Sequence, residues 1–201
     1  MFIASDDLTD LVFGTAWLLA ESFAFYSRHP IDKQVPVLFR GGIDLGTFFE
    51  LSQPSIQGGH LTSTSNVLGT GVVRAVQAEK KVEAIAENGL KGPRVWLARE
   101  LAATLDPEVR YLVEPSPEDD GMYDLLWSRA TIFGIDMRFD QLAAMSFVKV
   151  AQEGRSLYSA IADVAAHYRG LLDLTLRSVR LRGEDDEVED WIRQSGLLTI
   201  A

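Results

Sequence analysis

Arg40-Gly41-Gly42-Ile43-Asp44-Leu45-Gly46 opens the stretch whose reading decides the fold. Asn66-Val67-Leu68-Gly69-Thr70-Gly71-Val72-Val73-Arg74-Ala75-Val76-Gln77-Ala78-Glu79 continues it, and Lys91-Gly92-Pro93-Arg94-Val95-Trp96-Leu97 closes it. Val35, Val37, Phe39 and Ile43 predict a buried strand over residues 35–44, followed by a strand at 47–51. Residues 52–65, rich in Gly, Ser and Thr, read as a loop. Val67-Leu68 then leads through Gly69-Thr70-Gly71 into a helix over 72–87, with a short strand at 93–97 and a short helix at 98–105. Gly41, Gly42 and Gly46 let the backbone approach a neighbour closely or turn sharply. Gly69-Thr70-Gly71 ahead of a helix offers free N–H groups and a positive helix end to an anion.

Upstream, residues 2–4 are apolar, Ser5-Asp6-Asp7 is a turn signal, and 8–12 is apolar-rich again, which is a short β-hairpin pattern. Residues 14–28 read as a helix that His29-Pro30 ends. Downstream, 111–114 and 122–127 bracket a turn at 115–121 and predict a second hairpin. A long helix is expected over 156–182, where Leu157, Ile161, Val164, Tyr168, Leu171, Thr175 and Val179 make one apolar stripe. Residues 184–190 are a solvated acidic run. Strands alternating with helices indicate an α/β or α+β sandwich with one face covered.

The chain has 201 residues, room for one domain or one domain with an appendage. With 47% hydrophobic and 24% charged residues it is globular in composition, not disordered. A formal charge of −10 argues against non-specific binding to nucleic-acid phosphates. The absence of Cys excludes a disulfide scaffold, a Cys-ligated zinc site and a thiol nucleophile, and fits a reducing cytosol. The apolar run at 11–25 is too short to span a bilayer, and no basic residue precedes it. A cytoplasmic protein without membrane partners is the expectation.

Several chemistries find no motif. A dinucleotide fingerprint would want a small residue where Arg74 stands, and there is no phosphate-binding loop ending in Gly-Lys-Ser/Thr. No Ser stands in Gly-x-Ser-x-Gly. His29, His60 and His167 have no metal-ligand spacing, and Asp6, Asp7 and Asp10 do not fit a calcium loop.

Taken in order, the quoted pieces resemble the class III nucleotidyl cyclase catalytic domain, and look most like its compact bacterial branch that includes the pyrimidine cyclases of Pycsar anti-phage systems. The resemblance rests on the opening 2–7 turn, the 14–28 helix and Arg40-Gly41-Gly42-Ile43. It continues through Gly69, Val72, Ala75 and Glu79 at the family's helix spacing, and Pro93-Arg94-Val95. It implies an α+β, ferredoxin-like antiparallel sheet with helices on one face, here lacking the first strand and its helices, with a long C-terminal helix added. It divides the chain into a catalytic core at 1–128 and a helical extension at 129–201. It implies conversion of a nucleoside triphosphate, UTP or CTP, into a 3′,5′-cyclic second messenger by a head-to-tail homodimer with Mg²⁺ or Mn²⁺. By position, Asp6, with Asp7 as alternate, would hold metal. Phe2 and Asn66 occupy the base-reading positions, and Gly69 and Gly71 would allow close approach to substrate. The family's transition-state pair falls on Val73 and Gln77, where neither residue is retained; Arg74 or Gln77 would stand near phosphate. Each residue also has a plain reading: Asp6 and Asp7 in a polar turn, Asn66 capping its own backbone, Arg74 as a solvent-facing helix charge. The missing first metal Asp and the changed pair leave open a non-catalytic, nucleotide- or partner-binding module.

Overall fold

Apolar side chains recur at Leu8, Val12, Ala16, Leu19 and Phe23, steps of three and four that wind residues 8–28 into one helix rather than a strand followed by a helix. In a computed structural model of the protein, which describes residues 3–28, 39–57, 60–88, 92–132, 141–157, 160 and 162–180, helix α1 spans Leu8–Arg28. The expected opening hairpin is therefore not formed: residues 3–7 carry no strand, and its second arm is the first turn of α1. Local hydrogen bonding explains the change. The Asp7 carboxylate accepts the Asp10 N–H at 3.1 Å, and the Ser5 hydroxyl accepts the Asp7 N–H at 3.1 Å. Asp7 is thus a helix N-cap, and the cap starts the helix six residues before Gly14.

Strand β1, Gly41–Ile43, pairs in parallel with β4, Val95–Ala98. Strand β6, Met122–Leu125, runs antiparallel to β4 and to β5, Val113–Pro115, which gives a sheet of order β1-β4-β6-β5. The expected hairpin around residues 115–121 is present as β5 and β6. The sheet is mixed rather than antiparallel, because β1 returns to β4 through a helix, and a crossover connection makes its two strands parallel. Residues 35–38 of the strand expected at 35–44 lie outside the described residues.

Residues 52–65 are not a loop. Strand β2, Phe49–Gln57, and strand β3, His60–Leu68, form an antiparallel ribbon in continuous register from Phe49↔Leu68 to Gln57↔His60. Thr and Ser line this ribbon, and Thr is a strand former; read as loop polarity, they conceal the pairing. Gly58-Gly59 at two-residue spacing was the available hairpin signal.

Alternation along β4 sends its side chains to two separate cores. Val95 and Leu97 join Ile43, Leu125 and the buried face of α1 in the larger cluster. Trp96 and Met122 pack on Ala78 of α2, Thr70–Asn88, in the smaller one. Helices therefore cover both faces of the sheet, not one. α3, Arg99–Ala103, follows β4 where a short helix is expected.

The long helix expected at 156–182 is two helices among the described residues: α5, Gln141–Leu157, and α6, Ala162–Val179, packed against each other. Gly154 makes room for the Tyr168 ring, which lies 2.3 Å from where a side-chain carbon would stand. Tyr168, Leu171, Thr175 and Val179 of the expected stripe are buried. α4, Arg129–Ile132, carries Arg129, which is buried and donates to the carbonyls of Tyr111, Arg177 and Ser178 and to Glu114. Arg177 of α6 donates to Asp124 at 2.6 Å, and Asp124 also accepts the Trp96 indole N–H at 2.6 Å. Burial alone would lower the Arg177 pKa. The hydrogen bond and charge of Asp124, with Glu114 and Asp173, outweigh it and raise the pKa. This ion network ties α6 to the β5–β6 side of the sheet.

Candidate functional site

Gly42 carries no side chain because there is no room for one: an added carbon would lie 2.4 Å from the Ala75 carbonyl oxygen and 2.5 Å from the Ala78 Cβ. β1 consequently lies hard against α2. The chain leaves β1 through Asp44, and Thr47 meets the start of α2. The Thr47 and Thr70 hydroxyls lie 3.1 Å apart, each accepts the other residue's N–H, at 3.1 and 3.0 Å, and the Gly71 N–H donates to the Thr47 carbonyl at 3.2 Å. Gly69, at φ +141°, makes the entry into the helix, a conformation that an L side chain would strain.

The consequence for anion binding is direct. The Thr70 and Gly71 amides, two of the donors expected to be free at the head of α2, are already satisfied by Thr47. The glycines at 69 and 71 serve a close approach of the chain to itself.

Beside this junction lies a cavity of about 210 Å³. An unbroken run from Phe39 to Gly46 forms one wall, the opening residues Ile3, Ala4 and Ser5 another, and Leu8, Leu11 and Leu19 of α1 with Val72 and Ala75 of α2 contribute apolar floor. Thr15, Arg40 and Asp44 add polar groups. Asp44 accepts the Leu45 N–H at 2.7 Å and faces Arg74 at 4.0 Å; Arg74 also donates to the Leu45 carbonyl at 3.3 Å. Arg40 pairs with Glu79 at 3.7 Å. Leu45, Phe48, Phe49, Leu68 and Val73 are exposed large apolar residues around the same end of the molecule.

The sequence-derived site residues are distributed unevenly about this cavity. Gly71 lines it, and Arg74 reaches two residues, Asp44 and Leu45, that line it. Gln77 is exposed one turn further along α2. Asp6 and Asp7 are exposed residues beside the lining residue Ser5; neither is among the lining residues, and Asp7 is engaged as the helix cap. Asn66 sits in β3 opposite Leu51. Phe2 lies outside the described residues.

Among the described residues no group of three or more His, Cys, Asp or Glu side chains stands together; one or two carboxylates with substrate phosphates suffice for magnesium. Sequence reasoning missed Asp44, Phe39 and Phe48. Asp44 follows Ile43 directly in the glycine-rich motif, and this adjacency was the available signal. Comparison with protein-family models, with curated proteins and with solved structures finds no match. The fold is α+β, with a mixed four-stranded sheet, and among the described residues no helix is long and apolar enough to cross a membrane.

Proposed function

We propose that this chain is a class III-type nucleotidyl cyclase domain that converts a nucleoside triphosphate, UTP or CTP, into a 3′,5′-cyclic monophosphate used as a second messenger, as in anti-phage signalling. The reaction is an in-line attack of the ribose 3′ oxygen on the α-phosphorus; the new O–P bond replaces the bond to pyrophosphate, which leaves, and the hydroxyl proton is lost. One observation carries the reading. The opening segment at Ser5, the Gly41–Asp44 motif and the first turn of α2 border a single cavity, although they are separated by more than sixty residues of sequence. The order α1, β1, α2, β4 and the β5–β6 hairpin also agrees with the order of the motifs that carry the resemblance.

A head-to-tail homodimer in the cytoplasm belongs to the same reading. Its support is the set of exposed apolar residues Leu45, Phe48, Phe49, Leu68 and Val73 around the cavity end. The test is incubation with each of the four triphosphates in Mg²⁺ or Mn²⁺ and chromatographic separation of products. A cyclic pyrimidine nucleotide is the expected product; absence of any cyclic product from all four removes the reading.

A second reading is a non-catalytic cyclase-like module. It is favoured by Val73 and Gln77 in place of the catalytic pair. It expects a nucleotide to raise the melting temperature without turnover. Loss of a measured cyclase activity in Asp6→Ala eliminates it.

A further inference from the structure

We propose that the cavity along β1 is a docking slot for a β-strand. The strand is an extended segment of a separate polypeptide, alternating small and branched aliphatic residues between basic ends, and it continues the sheet past β1. This goes beyond the nucleotide reading above and does not rest on it.

Four observations carry it. First, β1 is the edge strand of its sheet, and β4 is its one paired neighbour among the described residues. The Gly41 N–H is used toward β4, donating to the Arg94 carbonyl at 3.0 Å. Successive residues of a strand turn their N–H and C=O groups to opposite sides, so those of Gly42, which lines the cavity, point away from β4. An edge of this kind is a template for a further strand, whose main chain supplies the affinity. Second, the cavity continues the layer of the sheet. α1 packs with Ile43 on one face and α2 with Trp96 on the other, yet Leu8, Leu11 and Leu19 of α1 and Val72 and Ala75 of α2 all line this one cavity. Both helices reach past the edge of β1 and leave the space between them open. Residues 3–5 form the far wall, and among the described residues the main chain of Ile3, Ala4 and Ser5 makes no bond to other main chain. An incoming strand thus meets unpaired main chain on both sides and apolar side chains above and below, the surroundings of a strand that is apolar on both faces.

Third, the two helices set the size of the side chains. α2 lies so close to the sheet that Gly42 has no room for a side-chain carbon, so strand residues turned toward α2 are held to the size of alanine. Those turned toward the leucines of α1 are branched aliphatic, which matches the alternation of a strand. The 210 Å³ of the cavity exceeds the roughly 150 Å³ that takes up benzene, and suits a main chain with small side chains rather than large ones. Fourth, the charge about the slot is negative. Asp6 and Asp7 follow the lining residue Ser5, Asp10 precedes the lining residue Leu11, and all three are exposed. The two arginines at the cavity are already paired, Arg40 with Glu79 and Arg74 with Asp44. The surplus of carboxylates, on a chain of charge −10, favours basic residues at the ends of the strand.

The experiment is a titration of the full-length protein, labelled with ¹⁵N-glycine and with its resonances assigned, with the blocked peptide Lys-Val-Ala-Val-Ala-Val-Lys. Affinities are measured in parallel by calorimetry. Two further peptides serve as comparisons. One has its two adjacent central amides N-methylated, so that whichever faces β1 is blocked, and the other has Glu in place of both Lys residues. The Gly42 amide resonance is expected to move on adding the first peptide, and its hydrogen exchange to slow about tenfold or more at saturation. The methylated peptide is expected to bind about tenfold or more weakly. The Glu-ended peptide is expected to bind about threefold or more weakly at low salt, with the difference narrowing near 1 M salt. No measurable binding of the first peptide, binding with a silent Gly42, or equal affinity for the methylated or the Glu-ended peptide overturns the proposal. Slow exchange at Gly42 that needs no peptide and grows with protein concentration also overturns it, and identifies a second copy of the chain as the occupant. None of these outcomes depends on formation of a cyclic nucleotide, so failure of this inference and failure of the cyclase reading are told apart.

Discussion

A methyl group on Gly42 would press into the Ala75 carbonyl and the Ala78 side chain, both on the well-packed helix that crosses β1. Gly42→Ala is therefore expected to cost about 1–3 kcal/mol of stability, the range for overpacking a tight core, read as a lower urea midpoint. Gly41→Ala is the control. There the added carbon meets the Val95 side chain at 3.6 Å, ordinary van der Waals contact, so its midpoint is expected to stay within about 0.5 kcal/mol of the parent. Arg74 and Arg129 make a second contrast at this scale. Arg74 is 60% exposed and its ion pair is long, so Arg74→Ala is expected to change stability by no more than about 0.5 kcal/mol while altering the cavity mouth. Arg129 is 1% exposed and holds Glu114 together with three carbonyls. Arg129→Ala strands those partners and is expected to cost about 3–5 kcal/mol. Tyr111 adds a pH dependence. Burial pushes its hydroxyl pKa up, against the opposing charge of Arg129. A group raised on folding contributes stability that is complete below its unfolded value, near 10, and that is lost as pH rises through the folded value. Denaturation curves of Tyr111→Phe above that pH are expected to lose stability less steeply than those of the parent.

At the scale of the element, the start of α1 is the clearest case of local chemistry deciding between two structures. Ser5-Asp6-Asp7 supports a strand turn and a helix cap equally well as a string of letters. The helix prevails because Val12, Ala16, Leu19 and Phe23 bury one stripe only when the turn at Leu8 is helical. Asp7→Ala is expected to destabilise the protein by about 0.5–2 kcal/mol through loss of the cap, whereas Asp6→Ala, one residue away and exposed, is expected to leave stability nearly unchanged. Thermal melts of the two variants separate the roles. α2, the strand at Val95 and the β5–β6 hairpin were legible because pattern and turn chemistry agree there. The β2–β3 ribbon was not, because its polar residues carry little of the period-two contrast on which strand recognition depends.

For the molecule as a whole, the ion network around Asp124 and Arg129 joins residues some fifty positions apart and fastens α6 to the sheet. Arg177→Ala is expected to raise the rate of amide hydrogen exchange within α6 before it does so in β4 or β6, since the local opening free energy of that helix falls first. Exchange rates that rise uniformly would instead mark a global loss of stability.

The sequence by itself determined an acidic, cysteine-free α+β chain and a glycine-rich motif, Arg40-Gly41-Gly42-Ile43, whose backbone can approach a neighbour closely. These follow from composition and from short-range steric demands that a linear pattern records. Tertiary structure alone decided that β1 pairs in parallel at a sheet edge, that helices cover both faces, that Thr47 occupies the first amides of α2, and that Asp44, Phe39 and Phe48 share a cavity with Ser5. Each of these depends on which distant segments meet, and that is settled by burial and hydrogen-bond satisfaction summed over the whole chain, a quantity that no local window of sequence contains.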